Sequence, residues 1–207
     1  MRLRNLKDKD FLLEHCSYLI KDGCACRGRW NEIFGNVNPI HLEIGMGKGD
    51  FIYEMAQKYP QINFVGIEKY SNVLARAIKK YPDALPNLRI LSLDALKLKE
   101  VFSHEIDVIY LNFSDPWPKA RTKDRRLTSE VFLSIYDELF RTHQKIFMKT
   151  DNLGLFASSL VTLSQHGYVF EEVSLDFKPD DELNVLTEYE KKFRALGVKI
   201  NYLEAVK

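Results

Sequence analysis

Two short stretches of this 207-residue chain carry residue types whose spacing can do chemistry. The first is Glu43-Ile44-Gly45-Met46-Gly47-Lys48-Gly49-Asp50, where an apolar run ends and a helical pattern begins. Glycines at such a turn let a ligand approach the backbone, at the crevice where strand ends and helix N-termini meet. A dinucleotide fingerprint needs Gly-x-Gly-x-x-Gly, but its last glycine position holds Asp50, which counts against a nicotinamide cofactor. Glu43 instead places a carboxylate beside the loop, and a carboxylate suits a ligand that carries positive charge. S-Adenosylmethionine, with its sulfonium and ammonium, is such a ligand. The second stretch is Phe113-Ser114-Asp115-Pro116-Trp117-Pro118-Lys119, continuing through Arg126-Leu127-Thr128. Two prolines around Trp117 fix φ and remove two amide donors, so the stretch is a stiff loop that projects Asp115. Lys119, Arg121, Lys123, Arg125 and Arg126 against Asp124 then give a local charge of +4 within eight residues. Phosphates are the natural partner of such a run.

These loops need strands and helices to hold them. Apolar runs rich in β-branched and aromatic residues predict strands at Ile40–Ile44, Ile62–Ile67, Leu88–Leu93, Asp107–Phe113 and Lys145–Lys149. Helical periodicity falls between and after them, at Asp50–Tyr59, Ser71–Tyr81, Ala95–Phe102, Ser129–Phe140 and Leu153–His166. This alternation predicts an α/β fold, a Rossmann-like doubly wound and mostly parallel sheet. Two further extended runs, Tyr168–Phe177 and Val198–Val206, lack a long crossover between them and should pair antiparallel, giving about seven strands. An acidic, turn-rich stretch with Lys178-Pro179-Asp180-Asp181 joins them. Residues 1–38 read as a polar N-terminal arm with a helical stretch around Asp10–Ile20, and residues 39–207 as the domain. The arm's Arg2, Arg4, Lys7, Lys9, Arg27 and Arg29 either add phosphate contacts or belong to a flexible tail.

Within the predicted sheet, Glu43, Glu68 and Asp94 end three successive strands. One carboxylate at a strand end is an ordinary loop residue. Three beside a Gly-x-Gly-x-Gly loop resemble the class I S-adenosylmethionine-dependent methyltransferases, whose acids at these positions contact the cofactor.

Composition narrows the classes. Thirty Lys+Arg against 29 Asp+Glu leave a net charge of +1, so any nucleic-acid surface is local. No apolar run approaches the ~20 residues that cross a bilayer, and no secretory leader pattern opens the sequence, so a cytoplasmic protein is expected. Cys16, Cys24 and Cys26 are odd in number and crowded, which suits reduced thiols. Cys24-Ala25-Cys26 is tighter than a zinc hook and no second hook follows. The five histidines show no metal-ligand spacing.

Taken together, Leu42-Glu43-Ile44-Gly45-x-Gly47-Lys48-Gly49, Phe113-Ser114-Asp115-Pro116-Trp117-Pro118-Lys119, Arg125-Arg126-Leu127-Thr128 and Thr187-Glu188-Tyr189-Glu190 closely resemble the bacterial tRNA (guanine-N7-)-methyltransferase family. Arg29-Trp30-Asn31-Glu32-Ile33-Phe34-Gly35-Asn36 is similar to the family's approach to the first strand, so the resemblance covers nearly the whole chain. It implies methyl transfer from S-adenosylmethionine to N7 of the variable-loop guanine at position 46 of tRNA. It also implies that Glu43, Gly45, Gly47, Glu68, Asp94 and Asp115 hold the cofactor, with Asp115 catalytic. Lys119, Arg121, Lys123, Arg125, Arg126, Asp151, Thr187 and Glu190 would then line the guanine and tRNA side. The implied partner is tRNA, with no membrane and no obligate second protein, the chain acting as a monomer or homodimer. Two positions depart from the family pattern: Met46, usually Thr, Ser or Cys, and Thr122, commonly His. The first loses a hydroxyl or thiol near the cofactor and the second an RNA contact. Asp-Pro-Trp also resembles the Asp-Pro-Pro-Tyr/Trp loops of exocyclic-amine methylases, although Pro118 here follows the tryptophan. A tRNA-binding module without catalysis is the other rival.

Overall fold

Runs buried on both faces set down the centre of a parallel sheet, as their near-continuous apolar character requires. In the computed structural model, which describes residues 6–178 and 185–207, these are β2 (Ile40–Ile44), β3 (Asn63–Glu68), β4 (Leu88–Ser92), β5 (Val108–Asn112) and β6 (Lys145–Thr150). All five run parallel. Alternation divides their side chains between two cores: Phe64 of β3 enters one, Val65 and Ile67 the other. Phe51 and Ile52 of α3 (Asp50–Lys58) with Leu74 and Ile78 of α4 (Ser71–Lys80) complete the first core. The second takes Val101 of α5 (Leu98–Val101), Leu133 of α6 (Glu130–Tyr136) and Phe156 of α7 (Leu153–Gln165).

The closing strands β7 (Val169–Ser174) and β8 (Asn201–Val206) pair antiparallel, as expected, and β8 inserts between β6 and β7. With β1 (Leu19–Ile20) the sheet has eight strands, in the order β1-β4-β3-β2-β5-β6-β8-β7. From β2 the chain steps outward to β4, then returns to lay β5 against the other side of β2. The strand order therefore reverses between β2 and β5, and the carboxyl ends of these two strands open the crevice where ligands of such sheets bind.

The segment ahead of Pro39 departs from its sequence reading in one element. The helix expected around Asp10–Ile20 ends early, as α1 (Lys9–His15), and Leu19–Ile20 becomes the eighth strand. The reason is the free edge of β4, whose backbone groups Leu19 and Ile20 satisfy in parallel register with Ile90 and Leu91. Further on, Trp30 of α2 (Trp30–Phe34) is fully buried, stacks on Phe102 at 5.0 Å and donates its indole N–H to Val101 O at 3.0 Å. Glu105 accepts the backbone N–H groups of Gly28 and Trp30. Arg2 and Arg4, and the turn residues Pro179, Asp180 and Asp181, lie outside the described residues. Among the described residues no helix is long and apolar enough to cross a membrane, and no group of three or more His, Cys, Asp or Glu could hold a metal ion.

Because Trp30 fills the core from outside the predicted domain, Trp30→Ala should lower unfolding stability by roughly 3–5 kcal/mol. Urea titration followed by far-UV circular dichroism measures it, and an unchanged midpoint would show that this segment does not contribute to the core.

Candidate active site

The glycine loop is pinned at its start by two N–H groups, Gly45 and Met46, that share the carbonyl of Ile67 at the end of β3 (2.9 and 3.0 Å). Gly45 and Gly47 both sit in the left-handed region, at φ +78° and +57°, which a side chain would strain. A Cβ at either would meet no atom within 4 Å, so the loop edge is an open cradle. The Met46 side chain turns the other way, into the core over Gly66. Met46 therefore does not line the open edge of the loop.

The acids gather at this end of the sheet. Glu43 is 3% exposed; its Oε1 accepts the Asn112 amide at 2.9 Å, and its Oε2 is buried with no hydrogen-bond partner. Burial pushes its carboxyl from 4.5 up to about 7, opposed by Asn112 and the charge of Lys149 and assisted by the fields of Glu68 and Asp50. Glu68 accepts Gly47 N–H at 3.2 Å on one oxygen and Tyr70 N–H at 2.9 Å on the other, tying β3 to the loop. Burial raises its pKa as well, and the field of Asp115 adds to the effect. Glu43, Glu68 and Asp115 stand at or just beyond the carboxyl ends of the parallel strands β2, β3 and β5, on one edge of the sheet. Asp94 stands at the next strand end, paired with Lys69 at 2.7 Å and capping the following turn through Leu96 N–H. The Lys69 ammonium holds its pKa below the usual range.

An orphaned buried carboxylate oxygen beside an open glycine cradle fits a group that brings N–H donors and positive charge. The residues present therefore fit S-adenosylmethionine, which carries a sulfonium and an ammonium.

Across the switch point, the loop after β5 is bent by two non-glycine residues in left-handed conformation, Phe113 at φ +50° and Trp117 at φ +39°. Such geometry is rare and persists only where surroundings enforce it. Phe113 donates its N–H to Lys149 O at 2.8 Å and lays its ring against Tyr189 and Phe193 of α8 (Glu188–Ala195). Asp115 is exposed at the mouth, with no hydrogen bond among the described residues.

The cationic stretch folds back as a 3₁₀ turn, Ala120–Arg125. Lys119, Arg121 and Lys123 are exposed and make no ion pair among the described residues. Arg125 lies over the Trp117 ring at 5.0 Å, and Arg126 donates to the carbonyls of Pro116 and Trp117. The Thr122 hydroxyl is turned onto Lys119 O.

Asp151 lies at the end of β6. Asn152, not Asp151, caps α7 by accepting Leu155 N–H at 2.8 Å, which leaves the Asp151 carboxylate without a structural hydrogen bond among the described residues. Thr187 and Glu190 are buried. The Thr187 hydroxyl caps α8 by accepting Glu190 N–H, while the Glu190 carboxylate takes Lys149 at 2.9 Å and Arg194 at 2.7 Å. Both therefore fix α8, whose Tyr189 and Phe193 form a wall beside Phe113.

Three participants escaped the sequence reading: Asn112, Lys149 and Arg194. The first two have a legible signal, a polar residue closing an apolar strand at the crevice end. Arg194 has only its i, i+4 spacing from Glu190.

A family model described as "Putative methyltransferase" matches residues 37–203. The chain is 50% identical to a tRNA (guanine-N(7)-)-methyltransferase of Geobacillus thermodenitrificans, over 100% of this chain and 98% of that protein. It is 48% identical to the protein of that name from Bacillus velezensis, covering 97% and 94%. Among solved structures, one described as an antibiotic related methyltransferase shares the fold, with a TM-score of 0.64 at 20% identity over 87% of this chain and 92% of that one. With identity at this level across full length, the chain belongs to the tRNA (guanine-N(7)-)-methyltransferase family.

Proposed function

We propose that this protein methylates N7 of a guanine in tRNA, the variable-loop guanine at position 46, using S-adenosylmethionine, and that it does so in the cytoplasm. The observation that carries this reading is the pairing, across one switch point, of an acid-lined glycine cradle with a stiff Asp115 loop that leads into exposed cations. When bound, S-adenosylmethionine supplies an electrophilic methyl group on a positively charged sulfur. Glu43 and Glu68 give the cradle negative potential that favours this cation. Asp115 stands at the mouth, where its carboxylate offsets the positive charge that develops on the purine ring. Guanine N7 presents its lone pair without losing a proton, so no general base is required and positioning supplies most of the rate. Lys119, Arg121, Lys123 and Arg125 hold tRNA phosphates, and Asp151 faces the guanine side.

Arg126 supports N7 over an amino group. Amine methylation through an Asp-Pro loop needs the proline carbonyl as an acceptor for the substrate's N–H. Here the Pro116 carbonyl already accepts from the Arg126 guanidinium at 3.2 Å.

Labelled cofactor and bulk tRNA, followed by nucleoside mass spectrometry, test the reading. 7-Methylguanosine is expected, and N6-methyladenosine in its place would refute it. Asp115→Ala should remove most turnover while tRNA affinity stays within about twofold. The double change Arg121→Ala with Lys123→Ala should weaken tRNA binding and reduce the salt slope by roughly 1.5.

Glu43 links stability to binding. Its carboxyl is raised in the folded state, so folding is favoured by protonation, and stability is lost as pH rises from 4.5 through about 7. Glu43→Gln should therefore stabilise the ligand-free protein above pH 7, by on the order of 2–3 kcal/mol. The gain should vanish below pH 4.5, while cofactor affinity is lost at every pH. In the wild type, cofactor affinity should fall as pH drops below about 7. Calorimetric titration across pH checks both trends, and a flat wild-type profile would remove Glu43 from cofactor binding.

A further inference from the structure

Arg126 stands within the cationic run, yet its side chain is directed at the loop it follows rather than at solvent. Its Nε lies 3.2 Å from Pro116 O and 3.3 Å from Trp117 O, and its Nη2 lies 3.2 Å from Trp117 O. These carbonyls belong to the two residues directly after Asp115. The backbone there has few other ways to be held: Pro116 and Pro118 have no N–H, and Trp117 sits at φ +39°. A left-handed tryptophan between prolines is strained and needs an external restraint. The planar guanidinium provides one, since its fork of donors reaches both carbonyls at once, which a lysine's point charge cannot reproduce. Arg125 adds a second contact from above, over the Trp117 ring. Arg126 is itself placed by the turn, through its own N–H to Lys123 O at 3.1 Å and its carbonyl to Ser129 N–H at 2.9 Å.

We propose that Arg126 is a positioning residue for methyl transfer: it clamps the Pro116–Trp117 backbone so that Asp115 is held at the mouth of the cofactor cradle, and it does not bind tRNA phosphate. This rests on the function proposed above and divides the run in two. Lys119, Arg121 and Lys123 face outward, while Arg126 turns inward to hold the Asp115 loop and Arg125 covers Trp117.

The test uses the full chain with Arg126→Ala and Arg126→Lys, measuring single-turnover methyl transfer at saturating tRNA, tRNA affinity across a salt series, and acrylamide quenching of Trp117. The quenching is read in a Trp30→Phe background, where Trp117 is the one remaining tryptophan. The expected result is a rate lowered about ten- to a hundredfold in both variants. Affinity should stay within about twofold, with the salt slope unchanged, and Trp117 should become more open to quencher. The lysine variant keeps the charge, so its failure to restore the rate separates clamping from charge. A wild-type rate with affinity down about tenfold and the slope reduced by roughly one would overturn the proposal in favour of a phosphate contact. If Arg126→Ala fails to fold, Arg126→Lys carries the same readouts. Should the wild type make no 7-methylguanosine, the proposed function fails by itself; the quenching still reports whether Arg126 holds the loop, and unchanged quenching in both variants would refute the clamp.

Discussion

A carboxylate kept out of water at the end of β2 sets the terms for the rest of this structure. Glu43 has one hydrogen bond and one orphaned oxygen, and burial of such a group is costly unless charge or protons compensate. Part of the compensation is the raised affinity of the buried carboxyl for a proton. The rest is a line of alternating charge: the Lys149 ammonium acts on Glu43, Glu190 pairs with Lys149, and Arg194 pairs with Glu190. Burial lowers the pKa of Lys149, and Glu190 opposes that shift. Glu190 thereby opposes the loss of charge on Lys149 and so sustains the counter-field that Lys149 exerts on Glu43. The line thus couples the carboxyl end of β2 to α8, five strands later in the chain.

The two loops at the switch point reach rigidity by opposite means. The glycine loop uses residues with no side chain, so its left-handed turns carry little strain and its edge stays open to a ligand. The Asp115 loop uses Phe113 and Trp117 in the same region of φ, at a cost of about 1–3 kcal/mol each. Large side chains are kept there because they are the means of anchoring: Phe113 packs on Tyr189 and Phe193, Trp117 lies under Arg125. The first loop keeps an open edge, and the second is anchored through its rings.

Much of this was legible because the signals are local. Strand, glycine turn and helix follow one another without interruption from Ile40 to Lys58, and Asp-Pro-Trp-Pro cannot be anything but a loop. What stayed hidden depends on partners distant in sequence. Leu19–Ile20 is a strand only because β4 offers an edge some seventy residues on. The burial of Trp30 depends on Val101, Phe102 and Glu105. Thr187 and Glu190 looked like polar loop residues, with nothing nearby to indicate that one caps a helix and the other is sealed between two cations. Arg126 was indistinguishable from its neighbours in a run of positive charge, since composition records how many cations there are and not which way each one faces.

That direction bears on the chemistry. An amino group that is methylated must give up a proton to reach its neutral product, and an enzyme that methylates one offers acceptors to its N–H bonds. Around Asp115 the nearest backbone acceptors, Pro116 O and Trp117 O, are engaged by a guanidinium. What remains at the mouth is a carboxylate able to balance charge, flanked by aromatic surface at Trp117 and Tyr189. A ring nitrogen that turns cationic on alkylation and has no proton to lose suits such a site, and guanine N7 is one, with its lone pair exposed in the major groove.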